Sequence, residues 1–401
     1  MTEKLPQTGD VWENNLARAV AIFEDHDSFL FGGDIDPDSV GSMMSLSLYL
    51  VKIGKRAGIL ISENLGDNLD YFEKIIAYNG IEVLRNVEDI KKSGSSYEAL
   101  VFCDTANTKL VPFFAELSEH VLPQNPIIVE IDHHFGADSE QIREDSAHLF
   151  REANANTEII GELLNKLKSR NPSFPAPFEQ RNILLGLITG LLGDTVGGRV
   201  VHYRKDFDSW LEILGGALEK NTRLRSATPD RPGDTKWSKF SSPKEILQYL
   251  DKLTDEQQKC LDRMESRISI QDGLGVLNIL NSTYGEVADC CREYNSDWFS
   301  ELLATLVNLV PEKSGKVGAV VFNGKNAEGA DCIFMKFRRA VDYDGFDLRT
   351  AEDLIRSTFN SHYMGGGGHA GAVSFRVSPH DESQFLASFQ KITDFVHSNL
   401  K

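Results

Sequence analysis

Carboxylates and imidazoles gather at a few points of this 401-residue chain, and each point follows a short apolar run. Phe29-Leu-Phe-Gly-Gly leads into Asp34-Ile-Asp36-Pro-Asp38, Ala99-Leu-Val-Phe-Cys into Asp104, and Ile127-Ile-Val-Glu-Ile into Asp132-His133-His134. Asp194 closes the apolar segment Ile183–Leu192. If the runs are parallel strands, their carboxyl ends share the sheet edge that lines a ligand crevice, and the acidic segments converge there. Five or more converging carboxylates repel one another and lose hydration unless cations neutralise them. Oxygen donors with imidazole suit Mn²⁺ or Mg²⁺, with Fe²⁺ and Co²⁺ as alternatives, and the lack of a nearby thiolate cluster argues against structural zinc. Asp36 and Asp38 flank Pro37 and, in extended backbone, should face one side, each toward a different ion of a pair. His133 and His134, as neighbours, should point in different directions, one to metal and one to substrate. An unpaired Asp194 at the end of an apolar helix would be unfavourable, so it reads as a further ligand.

The elements that must position these groups follow from periodicity. Short apolar runs alternate with helix-period segments from Asn14 to about Ile131, the pattern of βα units closing a parallel sheet. Strands are expected at Ser28–Gly33, Gly58–Ser62, Ile81–Leu84, Ala99–Cys103 and Ile127–Ile131. A helix should start with Asp38 as its cap and end near Gly54, and another should carry Leu69, Phe72 and Ile76 on one face. Asn156 is a plausible cap for a helix over Glu158–Leu167, and Phe178–Leu192 reads as a buried helix. Asn221–Pro243, poor in large apolar residues, reads as a loop or insertion. Helical pattern returns over Pro243–Arg267. A second domain follows, with strands near Gly275–Leu280, Gly318–Phe322 and Cys332–Arg338 and helices at Asp297–Leu309, Leu348–Phe359 and Phe385–Asn399.

Composition narrows the function classes. A formal charge of −18, from 42 basic and 60 acidic side chains, disfavours a broad electrostatic grip on long duplex DNA. Ile183–Leu192 falls short of the roughly 18 residues a membrane span needs. MTEKLPQTGD lacks the features of a signal peptide, and five cysteines do not read as a disulfide framework, so the cytoplasm is the expected compartment. Several bland readings hold their ground. Asp25-His26-Asp27 mimics Asp132-His133-His134 but reads as a solvated helix end, Cys290-Cys291 lacks partner cysteines, and Cys103 should pack beneath the acidic cluster. Arg339 alternates with Ile333, Met335 and Phe337, which leaves Arg338 as the stronger ligand candidate.

Taken in order, these residues resemble the DHH phosphoesterase superfamily in its form with the DHH-associated C-terminal domain. Its first motif matches Asp36-Pro-Asp38-Ser-Val-Gly41-Ser42, the second Asp104-Thr105, the naming motif Asp132-His133-His134, and the fourth Asp194-Thr195. The C-terminal phosphate-reading loop matches Gly365-Gly366-Gly367-Gly368-His369, preceded by a strand ending in Arg338. The resemblance covers nearly the whole chain. It implies an α/β fold, with a parallel-sheet catalytic domain carrying helices on both faces and a smaller α/β domain across a cleft. The expected divisions are 1–215, a loop and helical linker over 216–270, and 271–401.

By that resemblance Asp36, Asp38, Asp104, His133 and Asp194 are metal ligands, Asp104 bridging, and His134 is a ligand or phosphate contact. Where the oligonucleotide-degrading branch has a His, this chain has Gly32, with Asp34 as the substitute, as in the RecJ branch. Two divalent ions, Mn²⁺ first and Mg²⁺ second, would lie about 3.5–4 Å apart and lower the pKa of a bridging water. Gly366, Gly367, Gly368, His369 and Arg338 would hold a phosphate, the glycine amides as an anion nest. The implied activity is hydrolysis of short oligonucleotides or small nucleotides, as in the nanoRNase and pAp phosphatase branch. Cyclic or linear dinucleotide hydrolysis, pyrophosphate hydrolysis and a nucleotide-binding scaffold without turnover are the alternatives. A homodimer is implied by resemblance alone.

Overall fold

The computed structural model describes residues 4–62, 65–66, 68–135, 139–226, 240–280, 298–326 and 329–400. They fall into two compact units, Met1–Lys252 and Leu253–Lys401. The segment 216–270 is thus shared, its first part belonging to one unit and its last to the other.

The first unit is built on a sheet of six strands: β1 (Ser28–Gly32), β2 (Arg56–Leu60), β3 (Glu82–Leu84), β4 (Ala99–Cys103), β5 (Ile127–Asp132) and β6 (Ala147–Phe150). Their order is β3-β2-β1-β4-β5-β6, with every neighbouring pair parallel. Its described helices are α1 (Gly9–Asp25), α2 (Pro37–Lys52), α3 (Asp70–Tyr78), α4 (Val87–Ser93), α5 (Phe114–His120), α6 (Asn156–Arg170), α7 (Arg181–Asp194), α8 (Arg204–Ser226) and α9 (Pro243–Leu250). Strand alternation sorts side chains to two faces. Phe29, Phe31, Val101 and Cys103 join a core with residues of α2, α6 and α7, while Leu30, Leu100 and Phe102 join Ile90 and Leu117 of α4 and α5. Both faces are therefore covered by helices, and strand order reverses between β1 and β4, the point where such sheets bind ligands.

Local chemistry explains where this unit departs from the sequence reading. Asp36, rather than Asp38, caps α2: its carboxylate accepts from the Ser39 amide at 2.8 Å, and Pro37 takes the first helical position. Proline is pre-set for that position and has no N–H to lose there, so the helix begins two residues early. The expected coincidence of Asp36 and Asp38 in extended backbone does not arise. Asn156 is likewise the first residue of α6, not its cap. Helix α8 runs through 221–226, where a loop was expected; residues 227–239 of that expected loop lie outside the described residues. Strand β6 and helix α8 were not anticipated. The helix expected over Pro243–Arg267 is two, α9 and α10 (Asp255–Glu265), separated at Asp251–Thr254. Thr254 and Gln257 close a capping box at 3.1 and 2.9 Å, which starts α10 afresh.

The second unit holds a mixed sheet in the order β11-β12-β10-β9-β8-β7. Its strands are β7 (Ser269–Gln271), β8 (Leu274–Ile279), β9 (Val317–Lys325), β10 (Asp331–Arg339), β11 (Tyr363–His369) and β12 (Ala372–Val377). Among these described strands only β8 and β9 pair in parallel. Beyond α10, its described helices are α11 (Trp298–Ser314), α12 (Glu352–Phe359) and α13 (Glu382–Asn399). Residues 281–297, with Cys290-Cys291, lie outside the described residues. The glycine run read as a loop is the edge strand β11. Gly366 and Gly368 take φ of +149°, and a Cβ on either would strike a carbonyl of β12. Glycine's poor strand propensity hid this element, yet only glycine tolerates the pairing. Among the described residues no helix is long and apolar enough to cross a membrane.

Candidate metal centre

Three chain reversals at the switch point aim acidic side chains at one another. The chain leaves β4 through Asp104, whose φ of +52° is unusual for a residue with a side chain and is best tolerated by Asp or Asn. The Asp104 amide donates to the Ile131 carbonyl at 2.9 Å, tying the ends of β4 and β5. Ser39 Oγ donates to the Cys103 carbonyl at 3.1 Å, tying the start of α2 to the same edge. Helix α7 is drawn against α2 by a seam of small residues: a Cβ on Gly41 would strike the Gly186 carbonyl, and one on Gly190 would meet Asp38. That close approach delivers Asp194, the last residue of α7, beside Asp38. A carboxylate at a helix C-terminus opposes the helix dipole, so this position is not chosen for local stability.

The resulting cluster contains two sets that could hold a metal ion, Asp104 with His133 and His134, and Asp38 with His133 and Asp194. His133 is shared. Its Nε2 lies 3.2 Å from Asp104 Oδ1, 3.6 Å from Asp194 Oδ2 and 3.7 Å from Asp38 Oδ2. His133 Nδ1 lies 3.2 Å from the Ala153 carbonyl, which can only accept, so Nδ1 carries the hydrogen and the neutral ring turns its Nε2 lone pair inward. Asp104 Oδ1 and His133 Nε2 are both buried, and neither makes a hydrogen bond among the described residues. Two orphaned buried donor atoms aimed at one space fit a cation that each would ligate. Asp38 is buried and accepts from the amides of Asn156 at 2.5 Å and Thr157 at 3.1 Å. It thereby serves as the N-cap that Ala155 cannot provide for α6.

Of the remaining residues singled out from sequence, Asp34 and Asp36 stand outside both sets. Asp34 accepts from the Ile35 amide at 2.7 Å, and one oxygen of Asp36 is taken by its cap. They are close enough that charge is felt: burial, then Asp104, Asp34 and Asp194, push Asp36 up to about 7. Burial and the neighbouring Asp104 and Asp194 hold Asp38 well above the usual carboxylate range. Burial also raises Asp194, against the lowering effect of His133. For His133 burial favours the neutral ring, but Asp104, Asp38 and Asp194 outweigh it and hold the imidazole pKa well above its ordinary value. His134 does not point away from His133 as expected. The chain has left β5 by then, strand alternation no longer applies, and His134 Nδ1 lies 3.5 Å from Asp104 Oδ1 and 2.9 Å from Asp132 Oδ1.

Asp132, which opens the Asp132-His133-His134 triplet, differs from its neighbours. It is buried, accepts from the amides of His133 at 2.8 Å and His134 at 3.1 Å, and pairs with Lys4 at 2.6 Å. Burial would raise it, but the His134 hydrogen bond and Lys4 outweigh that and hold it below the usual range. Lys4 was invisible as a site residue in the sequence, since nothing in MTEKLPQTGD marks it. Asn156, Thr157 and the Ala153 carbonyl were missed for a similar reason, because they act through backbone groups. Cys103 is buried, and burial with the Asp104 charge raises its thiol. His26 closes α1 as a helix cap, as the bland reading of Asp25-His26-Asp27 held.

The other candidates belong to the second unit. Arg338 donates to Asn308 Oδ1 of α11 at 2.6 Å, and burial lowers its pKa. Register places Lys336, Arg338, Ser374 and Arg376 on one face of β10 and β12, opposite the buried Met335, Phe337 and Phe375. Gly365 and Gly367 of β11 pair with Arg376 and Ser374, so no side chain of β11 covers that face there. The amides of an extended edge strand alternate in direction, so Gly365–Gly368 do not form the expected nest; every second N–H turns outward from the sheet. Gly366 and Gly368 follow from the backbone, Gly367 borders open space, and His369 ends the strand. Arg339 bonds the carbonyls of Asp344 and Phe346, apart from the Arg338 face.

No family model matches the sequence, and comparison with curated proteins gives no match. Among solved structures, an exopolyphosphatase-related protein from Bacteroides fragilis superposes with a TM-score of 0.61 at 14% identity, over 98% of this chain and 99% of its own. Exonuclease RecJ bound to manganese gives 0.41 at 15% identity, over 98% of this chain and 95% of its own. The DHH domain of a protein described as a member of a ribosomal-protein family gives 0.41 at 14%, over 97% and 92%. The fold assignment rests on the first of these. The chain shares its fold with that Bacteroides protein.

Proposed function

We propose that this chain is a divalent-metal-dependent phosphoesterase acting on short oligonucleotides or small nucleotides, with two ions, Mn²⁺ first and Mg²⁺ second. The single observation that carries this reading is the pair of buried, unsatisfied atoms, Asp104 Oδ1 and His133 Nε2, facing each other among Asp38 and Asp194. Asp38, Asp104, His133 and Asp194 would hold the ions, with Asp36 and Asp34 completing the set. Bound ions supply a water of lowered pKa and polarise the phosphoryl oxygen.

The chain's own residues do the rest. The Ala153 carbonyl fixes His133 with Nε2 inward, and metal binding must displace the proton that the surrounding carboxylates hold on that ring. Asp132 holds His134 through Nδ1, which leaves the other nitrogen of this half-exposed ring free to meet a phosphate or the leaving oxygen. Arg338 and His369 are assigned to substrate phosphate, with Lys336 and Arg376 added because they share the Arg338 face.

A substrate panel with Mn²⁺ tests the reading: linear dinucleotides, cyclic dinucleotides, nucleoside bisphosphates, pyrophosphate and, given the description of the Bacteroides protein, inorganic polyphosphate. Metal-stimulated release of mononucleotide or phosphate from the nucleotides is expected. Turnover of pyrophosphate or polyphosphate alone would move the chain to a different substrate class, and no turnover of any member would leave the scaffold reading.

A further inference from the structure

We infer that Lys4 is a positioning residue of the metal centre, setting both strand ends that carry its ligands. This rests on the reading above and adds a residue to it. Lys4 is 1% exposed, unusual for a lysine. Its ammonium donates to Asp132 Oδ2 at 2.6 Å and to the Thr105 carbonyl at 2.5 Å, and lies 5.3 Å from the centre of the Phe150 ring.

Thr105 and Asp132 are each one residue from a candidate ligand. Thr105 follows Asp104 at the end of β4, and Asp132 precedes His133 at the end of β5. One cation therefore spans the two strand ends whose relative position brings Asp104 Oδ1 and His133 Nε2 together. A second route leads to His134: the Lys4 amide donates to the Ser139 carbonyl at 3.4 Å, and Ser139 Oγ donates to the His134 carbonyl at 2.7 Å. Farther along the same segment, the Gln7 amide donates to the Phe150 carbonyl at 2.7 Å and seats it across β6. A lysine that only neutralised Asp132 would need the first contact alone; the second side-chain bond, to the Thr105 carbonyl, is what makes it a spacer between ligands, while the Ser139 bond, made by the backbone amide, anchors the segment that delivers it. Outer-sphere partners of this kind typically change metal affinity or activity by 10–100-fold when removed.

The test measures Mn²⁺ affinity by calorimetry, kcat and KM on the best panel substrate, and thermal unfolding of the metal-free chain. In Lys4→Met, Mn²⁺ should bind about 10-fold more weakly and kcat should fall about 10–100-fold, with KM within about threefold of wild type. The double variant Lys4→Met/Asp132→Asn carries no lone buried charge, so it should melt near wild type yet keep the weakened Mn²⁺ affinity; it serves as the test if the single variant does not fold. Variants that lose only thermal stability, with Mn²⁺ affinity and kcat within about twofold of wild type, would overturn the inference. Wild type that binds Mn²⁺ without turning over a substrate fails the functional reading alone, since affinity still tests Lys4; wild type that binds no Mn²⁺ overturns both.

Discussion

Asp132 and Asp104 end adjacent parallel strands and are both buried, yet the protein treats them oppositely. Asp132 has an internal cation, Lys4, a donor in His134 and two backbone amides, and it stays ionised. Asp104 Oδ1 has no hydrogen bond among the described residues and faces Asp38 and Asp194, carboxylates that burial and the Asp104 charge both raise. A fold that can supply a lysine to one carboxylate and withholds it from the next leaves a deficit of positive charge at a defined place. A folded protein carries such a deficit at a cost in stability, which a bound cation offsets.

The largest effect expected from this contrast follows substitution of Asp104. Asp104→Asn keeps the shape and suits the left-handed backbone, but removes the charge. If a metal contributes several kcal/mol of transition-state stabilisation, hydrolysis should fall about 1000-fold. The metal-free variant should also melt higher than metal-free wild type, because a repulsive charge has gone. A lower melting temperature would show that Asp104 is compensated as Asp132 is. Asp38 sharpens the comparison because it has two duties. Asp38→Asn and Asp38→Ala should both lose most activity, but the alanine variant should lose about 1 kcal/mol more stability, the usual worth of a helix cap. Equal melting of the two would remove the capping role.

A smaller effect concerns the second unit. Gly366→Ala places a Cβ against the Ser374 carbonyl at a φ of +149° and should cost about 1–3 kcal/mol, with weaker substrate binding and unchanged Mn²⁺ affinity; altered Mn²⁺ affinity would contradict the assignment of the metal to the first unit. The smallest is a pH dependence. Asp36, raised to about 7 in the metal-free fold, binds its proton more tightly folded than unfolded. Its contribution to stability is therefore present at low pH and lost as pH rises through about 7. Melting temperature of the metal-free chain should decline from about pH 4 to about pH 7, and saturating Mn²⁺ should reverse the decline; a shallower slope in Asp36→Asn assigns that share to Asp36, and an unchanged slope would contradict it.

Much of this was legible in the residues. The parallel sheet, its helix-covered faces and the meeting of Asp38, Asp104, His133 and Asp194 follow from apolar runs that end in acids, a pattern written directly in residue type. What was not legible depends on backbone partners or on contacts distant in sequence. Pro37 shifted the start of α2 by two residues, β6 is four residues without a strong pattern, and the glycine-rich β11 is a strand only because β12 pairs with it. Lys4 lies 128 residues from Asp132, and no local spacing can announce a contact of that kind.

Calorimetric titration of the metal-free chain with Mn²⁺ at about pH 6.5, repeated in buffers of different ionisation enthalpy, tests the central claim most directly. Two ions per chain should bind with release of protons, since His133 and the raised carboxylates must give theirs up, and Asp104→Asn should bind far more weakly. Binding absent in wild type, or unchanged in Asp104→Asn, would mean that the cluster is not a metal centre.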